Sequence, residues 1–164
     1  MTPPQAPDPE ENVPTPGRLW RADEANRRLP GLRERLPELR GWVLRLRSVK
    51  EEFDRLAAFW GKELDSPDHP DKALQARLQS EWTGLTERLE REVAALQSEG
   101  IEVKDLDSGL IDFYGVVDGE VVFLCWKLGE EEVAHFHRLD GGYRSRRPLP
   151  DGPAHLPARP GGTP

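Results

Sequence analysis

The chain of 164 residues has a single cysteine and no long apolar run. One cysteine cannot form an intrachain disulfide, which is typical of a protein kept in a reducing compartment. The longest apolar stretch, Val121 to Trp126, has six residues, whereas a membrane-spanning helix needs roughly twenty. The first 17 residues contain neither a basic segment nor an apolar core, so we predict no secretory signal. These absences together predict a cytoplasmic protein.

Basic residues are in the minority, because 23 Lys and Arg face 30 Asp and Glu, a formal net charge of −7. Phosphate backbones and anionic membrane surfaces repel such a chain unless its basic side chains gather on one face. The charge balance therefore argues against nucleic acid and membranes as partners. We expect a protein partner, or self-association, instead.

Proline is concentrated at the two ends of the chain, where twelve of the sixteen prolines lie. These end segments contain almost no aliphatic residues, so they bury too little surface to offset the entropy lost on ordering. We predict disordered tails at 1–17 and 150–164. One domain is then expected over 18–149, with a helical part at 18–100 and a β-part at 101–149.

The start of this domain predicts a short first helix. Its N-cap is expected to be Asp23, and Pro30 is expected to end it. Pro37 then fits the first turn of a second and longer helix, where its missing N–H costs little.

Two long amphipathic stretches follow. Apolar residues recur at intervals of three and four from Leu39 to Trp60, and again from Leu74 to Leu96. The segment 61–72 between them is polar and contains glycine and proline, and Gly100 follows the second stretch as an expected C′ residue. This pattern predicts an antiparallel helical hairpin that resembles a coiled coil.

After Gly100 the apolar spacing becomes that of strands. The dipeptide Asp118-Gly119 lies between two apolar runs, which is the strongest short signal for a β-hairpin. A two-residue turn there places Asp112 opposite Cys125, and the segment 131–139 can add a third strand. We therefore predict an α+β fold in which a three-stranded antiparallel β-meander packs on the helical hairpin.

Four segments of the chain read, in order, "ADEANRRLPGL", "VKDLDSGLIDF", "VVFLCWKLGE" and "HFHRLDGGYRSRRPL". Together they resemble the blocks of a bacterial and archaeal family of uncharacterised proteins, domain of unknown function 2203. The matching positions are Asp105, Asp107, Gly109, Asp112, Phe113, Cys125, Trp126, Gly129, Glu130, Phe136, His137, Gly142, Tyr143 and Arg146. Phe136 stands where the family usually has tryptophan, and Tyr114 stands where proline is common. The resemblance implies kinship and a candidate cluster, but no established activity.

A catalytic role for Cys125 is the first hypothesis that the cluster raises, with Asp112, Glu130, His137 and Arg146 as its companions. A reactive thiol needs a lowered pKa and access to solvent. A carboxylate opposite the thiol disfavours the thiolate, and the surrounding strand is apolar. We therefore favour a packed core thiol over a nucleophile.

A metal site is the second hypothesis, with zinc or iron as the ion. Its candidate ligands are Asp112, Cys125, Glu130, His135 and His137. Strand register decides whether they meet, because a slip of one residue exchanges the faces of a strand. A three-residue loop after the Cys-Trp strand puts Asp112, Cys125 and both histidines on one face. Loops of two or four residues pair Cys125 with Ala134 or Phe136 instead, and the sequence leaves the three open.

The basic segment 144–147 allows two interpretations. Arg144, Arg146 and Arg147 can receive a carboxylate or a phosphate group. Alternatively, Arg146 pairs with Asp107 or Asp112 and holds the last loop against the β-hairpin. We favour the structural pairing.

The leading functional hypothesis is a non-enzymatic interaction or scaffold protein that binds through the helical hairpin. Trp42, Phe59 and Trp82 add bulk beside the apolar stripe, which makes homodimerisation an expectation. No cofactor is expected under this hypothesis. The alternative is a small metal- or thiol-dependent enzyme, or a metal-binding protein, that uses Asp112, Cys125 and His137.

Overall fold

The computed structural model describes residues 17 to 150, which form an α+β domain. The helical elements are α1 (Ala22–Trp60), a 3₁₀ helix (Gly61–Asp65), α2 (Lys72–Ser98) and a second 3₁₀ helix (Tyr143–Ser145). The strands are β1 (Ile101–Asp105), β2 (Leu110–Val117), β3 (Glu120–Lys127), β4 (His135–Arg138) and β5 (Arg147–Pro148). The predicted disordered tails lie outside the described residues, apart from Gly17 and Pro150.

The first helix is continuous through both of its prolines. The predicted short helix, its end at Pro30 and the restart at Pro37 were wrong, because α1 runs unbroken for 39 residues. An interior proline costs a helix about 3 kcal/mol, whereas each fully buried leucine contributes about 1.5–3 kcal/mol. The free energy gained by burying one face of α1 therefore exceeds the cost of its two interior prolines. The leucines of this face are Leu29, Leu32, Leu36 and Leu39.

The N-terminus of α1 also differs from the prediction. The N-cap is Arg21, whose backbone N–H donates to Glu24 Oε2 at 3.0 Å. Asp23 lies in the first turn and pairs with Arg27 at 3.1 Å. A carboxylate at either position interacts favourably with the positive end of the helix, so the acidic pair still marks where α1 begins.

The antiparallel helical hairpin is confirmed by a ladder of ion pairs between α1 and α2. Residue numbers rise along α1 as they fall along α2 in the pairs Arg28–Glu99, Arg35–Glu92 and Arg45–Glu81. Gly100 follows α2 with φ +77° and so ends the helix in the left-handed conformation that favours glycine. Within residues 17 to 150, neither helix contains an apolar stretch long enough for a membrane crossing.

The sheet has five strands in sequential order, all antiparallel, rather than the three predicted. β1 is short and alternates apolar with charged residues, and β5 has two residues, one of them a proline. Neither is recognisable without the neighbouring strand that pairs with it. The predicted β2–β3 turn is confirmed, because Asp118 (φ +52°) and Gly119 (φ +82°) both adopt the conformation of a type I′ turn.

One face of the sheet packs on the base of the helical hairpin. Ile111, Phe113, Leu124 and Trp126 from this face are fully buried. The core reaches along α1 only as far as Trp42 and along α2 only from Leu89. The rest of the helical hairpin, residues 43–88, lies outside this core. We call this segment the distal hairpin.

Candidate functional site

Three polar side chains meet on the sheet face that points away from the helices. Asp112 on β2 lies opposite Cys125 on β3, as predicted from the two-residue turn. On the other side of β3, His135 is opposite Cys125 and His137 is opposite Phe123. This is the one register, of the three left open by the sequence, that puts both histidines on the face of Asp112 and Cys125.

Asp112, Cys125 and His137 form the centre of this cluster. One oxygen, the sulfur and one ring nitrogen lie within 4.8 Å of one another. The three residues are 1%, 0% and 3% exposed. His137 Nε2 is 3.0 Å from Asp112 Oδ2, and Nδ1 is 2.8 Å from the carbonyl oxygen of Arg138. A carbonyl oxygen only accepts, so Nδ1 carries a hydrogen, and whenever the ring is neutral Nε2 presents its lone pair to the cluster.

Asp112 is incompletely satisfied in this position. Its Oδ2 faces His137, but its Oδ1 is buried without a hydrogen-bond partner. Lys104 Nζ approaches only Oδ2, at 4.0 Å. Burial raises the pKa of Asp112, and the neighbouring side chains of His137, Cys125 and Lys104 oppose that shift. An unpaired buried carboxylate oxygen costs free energy, so its retention requires an explanation.

The environment of the Cys125 thiol disfavours its ionised, nucleophilic form. Burial raises its pKa from the ordinary 9.0 to about 12, with the Asp112 carboxylate adding to the effect and Arg146 opposing it. Such a thiol stays protonated at neutral pH in the absence of a metal. The geometry therefore supports the packed thiol and gives no support to a nucleophile.

Arg146 pairs with Glu130 rather than with an aspartate of the cluster. Arg146 Nη2 lies 2.6 Å from Glu130 Oε1, and Glu130 Oε2 accepts the Lys127 N–H at 2.9 Å. The predicted pairing with Asp107 or Asp112 was wrong. Burial alone would raise the pKa of Glu130, but the hydrogen bond from Arg146 holds it below its usual range. Glu130 is therefore committed to this pair, while Arg146 Nη1 is buried without a partner.

The remaining predicted residues lie apart from the centre. Asp107 pairs with Arg47 of α1 at 2.7 Å. His135 is half-buried and lies outside the group of atoms within 4.8 Å, although it shares its face. Arg144 and Arg147 are exposed.

Sequence reasoning missed Lys104 as a neighbour of the cluster. Its ammonium group lies 4.2 Å from the centre of the Phe123 ring, and that ring packs against His137 with 5.5 Å between centroids. Lys104 is on β1, two residues from Glu102, which is opposite Asp112. Had β1 been recognised as a strand, the two-residue period would have placed Lys104 on this face.

A second candidate site is the surface of the distal hairpin. Leu44, Phe59 and Trp82 are 49%, 78% and 41% exposed, although each is large and apolar. Trp42, by contrast, packs against the core. Part of the apolar surface of the distal hairpin is therefore exposed to solvent.

The comparisons with known proteins give a family and no activity. No curated protein and no solved structure matches the chain. The family model described as "Uncharacterized conserved protein (DUF2203)" matches residues 18–149, nearly the whole of the described domain. The chain therefore belongs to this uncharacterised conserved family.

Proposed function

We propose that the chain is a non-enzymatic interaction protein that pairs with a second copy of itself through the distal hairpin. The observation that carries this proposal is the set of exposed apolar side chains in residues 43–88, which lie outside the core that the sheet forms with the helices. Large exposed apolar patches on soluble proteins generally mark interaction sites.

Burial within the distal hairpin is too small for a self-sufficient core. Within 43–88, all of which the structure describes, the buried residues are Val49, Leu64 and Leu78. Two helices alone bury the strip where they touch and leave both flanks of their stripes open. Apolar stripes wider than the strip that two helices bury against each other are typical of helices that pack against further helices, as in four-helix bundles.

Two apolar grooves run along these flanks. One, of about 410 Å³, is lined by Val49, Phe53, Leu78 and Trp82 among others. The other, of about 480 Å³, lies nearer the turn between the two helices and is lined by Phe59 and Leu74 among others. Protruding side chains therefore stand beside grooves of similar chemistry, as a contact between identical surfaces requires.

The charges on the distal hairpin favour a second copy over a polyanion or polycation. Both signs are interspersed, and several are already paired, as Arg45 is with Glu52 and Glu81 and Lys50 is with Asp54. A surface with both signs can meet its own copy about a twofold axis without stacking like charges. Pairing of this kind would produce a four-helix arrangement with the two sheets at its ends.

The buried cluster gives little support to the competing enzyme hypothesis. None of its three central residues is more than 3% exposed, so a substrate has no access to them. The raised pKa of the Cys125 thiol also removes the nucleophile that a thiol-dependent reaction needs.

The test is the molar mass in solution by sedimentation velocity, for the wild type and three variants. Phe59→Asp and Trp82→Asp place a charge on the proposed interface. Val121→Asp is the matched control, because Val121 is 41% exposed, like Trp82, but lies on β3. We expect a dimer for the wild type and the control, and monomers for the two hairpin variants. A wild type that stays monomeric at its highest soluble concentration would contradict the proposal.

A further inference from the structure

We propose that Asp112, Cys125 and His137 hold a single divalent transition-metal ion, with zinc the best fit. The ion would be a structural one, buried on the sheet face that points away from the helices. This site is independent of the distal hairpin. Carboxylate oxygen, thiolate sulfur and imidazole nitrogen are the three donor types that zinc takes from proteins.

The ligand atoms are already close to the required spacing. Zinc–sulfur and zinc–nitrogen bonds of about 2.3 and 2.0 Å place tetrahedral ligand atoms about 3.3–3.6 Å apart. Here the carboxylate oxygen and ring nitrogen are 3.0 Å apart, and all three donor atoms lie within 4.8 Å of one another. Each donor comes from a different strand, β2, β3 or β4, and the register of these strands fixes their relative positions. An ion therefore needs small side-chain adjustments and no movement of the backbone.

The orientation of His137 is that of a metal ligand. Metal-bound histidines usually donate their second ring N–H to a carbonyl or a carboxylate, which fixes the tautomer. His137 donates Nδ1–H to the Arg138 carbonyl and directs Nε2 at the other two donors. In the absence of an ion, this leaves Nε2 and Asp112 Oδ2 facing each other with one proton to share.

The unpaired oxygen of Asp112 is an independent indication of a missing cation. Its side chain is 2% exposed, yet Oδ1 has no partner among the described residues. A doubly charged ion beside one carboxylate, one thiolate and one neutral imidazole gives a cluster of zero net charge. Burial of a neutral cluster avoids the desolvation penalty that an unpaired carboxylate incurs.

The donor set also excludes the hard cations. Calcium and magnesium take oxygen ligands, commonly six or more, whereas a thiolate and an imidazole favour zinc and its transition-metal neighbours. Three protein donors leave a fourth tetrahedral position. Arg146 Nη1 is a buried donor without a partner. The same guanidinium opposes the rise in the pKa of the Cys125 thiol that burial causes. An oxygen ligand on the ion can accept from this N–H.

The first measurement is elemental analysis of the protein purified without chelator or metal-affinity resin. Titration with Co²⁺ then reports the ligands, because a thiolate bound to cobalt gives a charge-transfer band in the near ultraviolet. The test variants are Cys125→Ser, His137→Ala and Asp112→Asn. His135→Ala is the matched control, a histidine on the same strand and face but outside the group of three.

We expect near-stoichiometric zinc in the wild type and in His135→Ala, and at least a tenfold weaker affinity for Co²⁺ in each test variant. Cys125→Ser should also lose the charge-transfer band. Circular dichroism checks that each variant is folded, and the wild type supplies a second readout. Excess zinc should raise its melting temperature, since a ligand that binds the folded state stabilises it. A folded wild type that takes up neither metal and gains no thermal stability would overturn the proposal, as would stoichiometric metal in a folded Cys125→Ser/His137→Ala double variant.

Discussion

His137 Nε2 lies 3.0 Å from Asp112 Oδ2, and both side chains are 2% exposed. Since Nδ1 carries its hydrogen toward the Arg138 carbonyl, the contact between Nε2 and Oδ2 is a hydrogen bond in which the two atoms share one proton. The pair is therefore either an imidazolium with a carboxylate, or a neutral imidazole with a carboxylic acid. Replacement of that proton by a metal ion is the third state that this geometry permits.

Removal of one member of this pair should destabilise the metal-free protein. His137→Ala leaves the Asp112 carboxyl buried without its partner, and we expect a loss of about 3 kcal/mol in the free energy of unfolding. Addition of Asp112→Asn should recover part of that loss, because the amide carries no charge. Urea denaturation of the single and double variants measures both quantities. Losses that simply add would show that the two side chains do not interact.

The buried thiol predicts a loss of stability of the metal-free protein at high pH. The folded state keeps the Cys125 proton up to a pKa of about 12, whereas the unfolded state releases it near 9.0. Between these values the unfolded chain binds fewer protons, so stability falls as pH rises, by about 1.4 kcal/mol per unit. The contribution is fully present below pH 9. Denaturation in chelator at about pH 8 and about pH 10 should show that the wild type loses about 1.4 kcal/mol more than Cys125→Ala. Equal losses in the two proteins would show that the thiol ionises alike in both states.

The continuous α1 helix predicts that its interior prolines are costly. Pro30 and Pro37 are both exposed, so replacing either by alanine leaves no cavity. Alanine also restores the backbone N–H that proline lacks and removes the clash of the proline ring with the preceding turn. We expect each substitution to stabilise the protein by about 1–3 kcal/mol. Thermal or urea denaturation of the two single variants is sufficient. A neutral or destabilising effect at both positions would indicate that α1 is interrupted there.

The tight contact at Gly115 predicts opposite effects of alanine at two glycines. A Cβ at Gly115 would lie 2.7 Å from Leu124 Cγ and 3.0 Å from the Trp20 carbonyl oxygen. Gly41 lies within α1, and a Cβ there meets nothing within 4 Å. Gly115→Ala should cost about 1–3 kcal/mol, and Gly41→Ala should contribute about 0.5–1 kcal/mol of stability. The same denaturation experiment compares them, and equal effects would contradict the packing described for β2 and β3.

Local patterns predicted most of the fold. The stripe from Leu39 to Trp60 and the Asp118-Gly119 turn are signals contained in a few neighbouring residues, and both were confirmed. The helix break at Pro30 was wrong, because the burial that overrides the proline depends on a sheet that lies far along the chain. β5 could not be recognised, because its two residues become a strand only beside β4.

The candidate site was predictable only in part, because three of the five predicted ligands meet and Glu130 and His135 lie apart from them. Asp112 and Cys125 follow from the length of one turn. His137 depended on the β3–β4 register, which a loop between Lys127 and His135 leaves undetermined in the sequence. Arg146 was assigned the wrong partner because Glu130 was placed in the turn after the Cys-Trp strand, and the undetermined length of that loop left the direction of its side chain open.

Amide hydrogen exchange at low and high protein concentration tests the central claim, pairing through the distal hairpin, most directly. Pairing suppresses local opening where the copies touch, so protection should rise with concentration at 49–60 and 74–85. Residues 22–42 of the same α1 helix serve as the internal control, because they pack on the sheet in either state. We expect a concentration-dependent increase in protection that is confined to the distal hairpin. Exchange there that is unchanged over the whole concentration range would contradict it.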